Sequence, residues 1–430
     1  MSRPPFSRSS HRAAAVAVAI PIISVTVAGL SGCAVLKKFT RKTQPTPTPT
    51  AAAKKGPTAP KIDYASVRPN ELGRIPVIMY HEIGTKPEPR DPGLVRTPEQ
   101  FRKDLQNLYD SGFLPVNLAD VATNSIDLPA GKSPVVLTFD DARGTQFKLI
   151  ETAKSQEIDP NCAVGILGAF HKAHSEWAMR ATFFILPKSK ATIEPFSQPG
   201  LGSQKIAYIL QQGMEIGNHT TLHKSLRNMT PAQIQEEIGN ANNEIMAASP
   251  DAKITTFAVP MGKFPHDKAN LKYLMHGTYQ GKPYDFKVVM AAAYRPIPSP
   301  ASTDYKAEKL ERISPIDGLN GLAYWVKQLK SGSPYALYVS DGDPNVISFP
   351  RGDDNKVNVA KLKAEGKLAN AYAPFGGPGG AKPIVSAEEA KPSEPAAPSA
   401  DAAPSGPAST KPIAGAVSST TVTEKPISGG

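Results

Sequence analysis

With 430 residues, 40% of them hydrophobic and 20% charged, the chain has an ordinary globular balance, which excludes collagen-like, coiled-coil and wholly disordered readings. Its 43 prolines are about twice average usage, so part of the chain is unpacked. Two cysteines, Cys33 and Cys162, are too few for a disulfide scaffold or a thiolate zinc site. The net charge of +11 is localised: residues 1–62 hold ten Lys/Arg and no Asp/Glu, leaving 39 basic against 38 acidic residues beyond them. A near-neutral body argues against nucleic acid as the partner.

Arg3, Arg8 and Arg12 precede an apolar run from Ala13 to Leu30 that ends at Ser31-Gly32-Cys33. A basic start, an apolar middle and small residues at a cut site define a secretory signal. The closing Leu30-Ser31-Gly32-Cys33 resembles a bacterial lipobox. That resemblance implies cleavage after residue 32 and a lipid on Cys33, with Lys37, Lys38, Arg41 and Lys42 at the headgroups. The expected product is a membrane-anchored lipoprotein on the extracytoplasmic face of a bacterial envelope. Residues 33–61, rich in Pro, Thr and Lys, read as an extended linker. Residues 376–430 carry no aromatic residue and read as a disordered tail. The body is then residues 62–375, with Cys162 a buried, inert thiol.

Within the body, apolar runs predict strands at 75–80, 135–139, 181–186, 214–217, 254–259, 286–292 and 335–339. Thr97-Pro98-Glu99-Gln100 is a capping box opening a helix that Gly112 closes, and Thr230-Pro231 opens another. Residues 203–212 and 319–330 are further helices. About seven strands alternating with helices predict an α/β fold with a parallel sheet, open or closed into a barrel.

Three features stand at or just past predicted strand ends: Thr138-Phe139-Asp140-Asp141, His219-Thr220-Thr221-Leu222-His223, and Val259-Pro260-Met261-Gly262. In parallel α/β folds those ends converge on the active site. A spacing of four puts two imidazoles on one side of a helical turn. Two His and one carboxylate can hold a divalent metal with positions left open. Asp140 or Asp141 supplies the carboxylate, and the other stays free to take a proton.

These residues, taken as an ordered set, resemble the polysaccharide deacetylases with the NodB homology domain, carbohydrate esterase family 4. Met79-Tyr80-His81-Glu82 is similar to the opening motif of the poly-N-acetylglucosamine deacetylase branch. Thr138–Asp141, Ala181-Thr182-Phe183-Phe184 and Gly217–His223 match later motifs, so the likeness spans about residues 74–345. The resemblance implies a deformed (β/α) barrel and a divalent metal, usually Zn2+. It implies Asp140 as general base and Asp141, His219 and His223 as metal ligands. The substrate would be an N-acetylglucosamine-containing polysaccharide, with Pro260, Met261, Gly262 and His81 facing it.

The chain departs from that pattern in four places. Ala142-Arg143-Gly144 follows the aspartate pair where the family has Gly. Residues 150–180 read as an insertion with His171, His174 and Trp177. Ala258 stands where the family carries an Arg that orients the base. The last motif has Asp341 where a general-acid His is expected. Asp341, His81 and His266 are the candidate proton donors, and Tyr324-Trp325 a candidate sugar-stacking face. The missing groups keep open a degenerate, glycan-binding barrel; an O-acetyl esterase is a further alternative.

Overall fold

Strands form where apolar, often β-branched residues run without polar alternation, as a sheet covered on both faces requires. The computed structural model describes residues 56–85, 93–152, 155–187, 194–292, 294–373 and 382–383. Cys33, its apolar leader and most of the predicted linker and tail lie outside them. No described helix is long and apolar enough to cross a membrane.

Seven strands make the main sheet: β1 Val77–Tyr80, β2 Phe113–Pro115, β3 Ser133–Phe139, β4 Thr182–Ile185, β5 Glu215–Asn218, β6 Thr256–Ala258 and β7 Val288–Met290. The order is β1-β3-β4-β5-β6-β7, with β2 pairing along the start of β3. Every pairing is parallel. All of β3 is buried, and Phe139 stacks between Tyr80 and Phe183 at centroid distances of 5.4 and 4.8 Å. Helices α1 Pro98–Asp110, α2 Ala163–Ala173, α3 Gly202–Gln211, α4 Pro231–Ala248 and α5 Leu322–Ser331 flank this sheet. The capping box predicted at Thr97 is present, with Thr97 Oγ1 accepting from Gln100 N at 3.2 Å.

The expectation of a last strand at 335–339 is corrected. That segment makes two isolated bridges, Leu337 to Arg74 and Val339 to Asn70. The segment closing the sheet is Leu310–Ile313. Leu310 bridges Met290 on β7 and Ile313 bridges Ile78 on β1, both in parallel. The result is a deformed (β/α) barrel whose C-terminal strand ends open at one mouth. A further layer, unforeseen from the sequence, packs β8 Val346–Pro350 parallel to β9 Leu368–Tyr372 across the helix Val359–Ala364. It has its own core of Ile347, Phe349, Leu362 and Ala369.

The insertion is structural. Trp177 is fully buried against Phe170, and the His171 ring bonds the Trp177 carbonyl at 2.8 Å. Cys162 is buried and caps α2 by accepting from Gly165 N at 3.4 Å; burial pushes its thiol up, as expected for an inert cysteine. Trp325 is buried in the core rather than open to a sugar.

At the opposite end of the barrel from the mouth, burial pushes Glu215 from 4.5 up to about 7, against hydrogen bonds from Thr182 Oγ1 (2.6 Å) and Ala119 N (3.0 Å). A carboxyl raised in the folded state contributes stability that is complete below its unfolded pKa and is lost as pH rises through the folded one. That loss is about 3 kcal/mol between pH 4.5 and 8. Glu215→Gln should therefore raise the melting temperature at pH 8 by on the order of 5 °C and leave it nearly unchanged at pH 4.5. Melts of the two proteins at both pH values check this; an equal gain at each would refute it.

Candidate active site

The mouth of the barrel holds a cleft of about 420 Å³ lined by His81, Asp140, Asp141, His219, His223 and Met261, among others. Each comes from the end of a strand. His81 follows β1, the aspartates follow β3, the histidines follow β5, and Met261 follows β6.

Asp140 is 2% exposed, and both of its carboxylate oxygens are taken by Arg312, which is itself fully buried. Arg312 Nη1 donates to Oδ1 at 2.6 Å and Nη2 to Oδ2 at 2.8 Å. The guanidinium is oriented by Nε donating to the Ala291 carbonyl at 3.1 Å and by Nη1 reaching Thr138 Oγ1 at 3.2 Å. Burial pushes the Asp140 carboxyl up, but Arg312 and His219 outweigh it and hold the group below the usual carboxylate range. The arginine absent from position 258 is thus supplied from the closing segment Leu310–Ile313, where it was not foreseen. The signal was faint: an apolar–polar–polar–apolar run, Leu310-Glu311-Arg312-Ile313, too short to rank as a strand.

Asp141 stands with φ 74° and the following Ala142 with φ 48°. Two successive left-handed residues turn the chain back on itself, and each costs about 1 kcal/mol for a side chain with a Cβ. Arg143 consequently folds over Asp141, its Nε at 3.1 Å and Nη2 at 2.9 Å, both on Oδ2. The other oxygen, Oδ1, lies 3.4 Å from His219 Nε2 and 3.4 Å from His223 Nε2. Burial raises the Asp141 carboxyl, and the facing His219 and the other imidazoles overcome it, leaving the group far below its ordinary range.

The two histidines meet, but not on a helical turn. Residues 219–223 form a loop in which Thr220 (φ 65°) and His223 (φ 54°) are both left-handed. Asn218 Oδ1 accepts from Thr220 N at 2.8 Å and starts the reversal. The rings end with centroids 5.0 Å apart. His219 Nδ1 lies 2.8 Å from the Ala258 carbonyl, which can only accept, so Nδ1 carries the proton and Nε2 presents a lone pair.

His219 Nε2 and Asp141 Oδ1 are buried and make no hydrogen bond among the described residues. Leaving two such atoms unsatisfied costs about 1–3 kcal/mol each. Asp141, His219 and His223 each offer a ligand atom, all within 4.8 Å of one another. Ligands about 2.0–2.1 Å from a tetrahedral zinc stand roughly 3.3 Å apart, close to the spacing from Oδ1 to each imidazole. The donor set therefore fits a divalent cation; of the two aspartates, Asp140 has both oxygens taken by Arg312, while Asp141 Oδ1 accepts no hydrogen bond among the described residues.

His81 also faces the cleft, its Nε2 3.8 Å from Asp140 Oδ2. Gln146 Nε2 donates to the carbonyls of both His81 (2.6 Å) and Asp140 (2.5 Å), fixing one against the other. Burial lowers the His81 pKa, against the pull of Asp140 and Asp141. Of the 260–262 segment, Met261 lines the cleft and is half exposed, whereas Pro260 is buried and Gly262 (φ 60°) backs onto Ala292. His266 is not among the cleft residues. Tyr294, exposed on the rim, was not foreseen.

Asp341 is corrected. Its neighbour Val339 pairs with Asn70, well before the start of β1, and Leu337 pairs with Arg74, six residues or about 20 Å along the chain from Tyr80. Asp341 is fully buried at that far end, accepting from Ser348 Oγ at 2.5 Å and Asp343 N at 2.8 Å. Burial pushes it up to about 6, but it reaches no cleft residue.

Residues 127–276 match the family model for polysaccharide deacetylase. YxkH of Bacillus subtilis (strain 168), named as a polysaccharide deacetylase, is 22% identical over 264 residues, covering 60% of this chain and 78% of that one. The chitooligosaccharide deacetylase of Bradyrhizobium sp. (strain ANU 289) is 27% identical over 138 residues, 32% of this chain and half of its own length. Among solved structures, the Streptococcus pyogenes deacetylase PplD in complex with acetate aligns at 18% identity and a TM-score of 0.41, covering 58% of this chain and 96% of that one. IcaB from Ammonifex degensii aligns at 17% and 0.40, covering 59% and 97%. The matched segment contains the aspartate pair and both histidines; His81 and Arg312 lie outside it. Residues 127–276, which hold the aspartate pair and both histidines of the cleft, are thus a polysaccharide deacetylase domain, of the NodB-homology type, carbohydrate esterase family 4.

Proposed function

We propose that this chain removes acetyl groups from N-acetylhexosamine units of a polysaccharide, using a divalent cation held by Asp141, His219 and His223, with Zn2+ as the best fit to that donor set. The observation that carries this reading is the pair of buried, unpartnered donor atoms facing each other beside a second, arginine-clamped carboxylate. A bound cation supplies Lewis acidity there, bringing the pKa of water toward 7 and polarising an acyl oxygen. Asp140, kept ionised by Arg312, accepts the proton of the attacking water. His81, held beside Asp140 through Gln146 with its Nε2 3.8 Å from Oδ2, relays that same proton to the departing sugar nitrogen, so both groups return to their starting states. Acetate and a free amine result. Arg312 clamping the base and His81 facing it support an active site over a degenerate barrel.

The substrate class follows the relatives named polysaccharide and chitooligosaccharide deacetylases. The lipobox-like Leu30–Cys33 and the basic residues after it support action outside the cytoplasm, at a membrane, through lipid on Cys33. Acetate release from N-acetylated chitooligosaccharide tests the reading. Asp141→Ala and His219→Ala should each lower turnover on the order of 10³-fold. Wild-type rates in either variant would refute it, and turnover of O-acetylated oligosaccharide alone would identify an esterase.

A further inference from the structure

We infer that Arg143 is a positioning residue that dedicates one oxygen of Asp141 to the cation and withholds the other. The inference rests on the ligand set proposed above. Both guanidinium contacts, at 3.1 and 2.9 Å, converge on Oδ2. Oδ1 is left without a partner and faces the two imidazoles. A carboxylate free at both oxygens can rotate or engage an ion through either or both. One pinned at Oδ2 presents a single, fixed donor.

The local backbone makes this contact possible. Left-handed conformations at both Asp141 and Ala142 are unfavourable without glycine, yet together they bring residue 143 back over residue 141. Arg143 is itself anchored on its far side, Nη1 lying 3.8 Å from Glu82 Oε2. Its side chain is 34% exposed at the cleft wall.

Two effects of the guanidinium oppose each other. Its charge repels a cation nearby, and its hydrogen bonds orient the ligand that holds the cation. Glu82 and solvent screen the first. Outer contacts to metal ligands are worth about 10–100-fold in affinity, so the second prevails.

Cation affinity of the full-length chain, measured by competition with a chromophoric chelator using Zn2+, separates the two. The Co2+ absorption spectrum of each protein reports the coordination directly. Arg143→Ala should bind Zn2+ about 10–100-fold more weakly and alter the Co2+ bands, and Arg143→Lys should recover part of both. Thermal melts confirm that the variants are folded. Equal or tighter Zn2+ binding by Arg143→Ala, with an unchanged Co2+ spectrum, would show that Arg143 acts as a surface charge and overturn the inference. A wild-type chain that takes up neither ion overturns the ligand set as well, and this is seen before any variant is compared.

Discussion

Arg312→Ala should cost this protein about 3–5 kcal/mol of stability and nearly all of its deacetylase activity. The two losses share one cause. Arg312 and Asp140 are both buried, and their bidentate pair compensates two charges that solvent scarcely reaches. Removing the cation leaves a carboxylate in a low-dielectric site, where burial drives its pKa up and it binds the proton it should be free to accept. Asp140→Asn leaves the mirror-image problem, an unpaired guanidinium. The double variant Asp140→Asn/Arg312→Met removes both charges and should recover most of the lost stability while remaining inactive. Melting temperatures and acetate release on the three proteins check this. An Arg312→Ala protein that melts and turns over like the wild type would show that the pair is not what holds Asp140 in its working state.

His81→Gln should lower turnover about 10²–10⁴-fold with little change in KM, as loss of a positioned proton donor predicts. The effect should depend on the leaving group. An amine must be protonated to depart, whereas the phenolate of an activated aryl acetate need not be. The variant should therefore hydrolyse such an ester at close to the wild-type rate while failing on the acetamide. Equal losses on both substrates would assign His81 to packing or to the cation rather than to proton delivery.

The sequence made the chemistry more legible than the geometry. Thr138–Asp141 and His219–His223 are readable because each stands at the end of a run that patterns as a strand, and parallel strands deliver their C-terminal ends to one mouth. The four-residue histidine spacing predicts a helical turn, whereas Thr220 and His223 are left-handed and the two rings meet across a loop. Arg312 could not be paired with Asp140 from the sequence, because 172 residues separate them and the pairing exists only through the closing segment. Asp341 misled for the converse reason. It follows an apolar run as the other site residues do, but that run is joined to the chain before β1, so its end lies at the far side of the barrel from the mouth. The layer of β8 and β9 was missed because Val346-Ile347-Ser348-Phe349-Pro350 is short, carries a serine and ends in proline, which weakens its period and its propensity.

Deacetylation by this chain should require a cation held by Asp141, His219 and His223. Metal analysis of the purified full-length chain, with acetate release followed through chelation and return of Zn2+, tests it most directly. The wild type should carry a stoichiometric divalent cation, lose activity with its removal and recover it on adding Zn2+, and His219→Ala should bind none. A metal-free chain that still releases acetate at the full rate would contradict it.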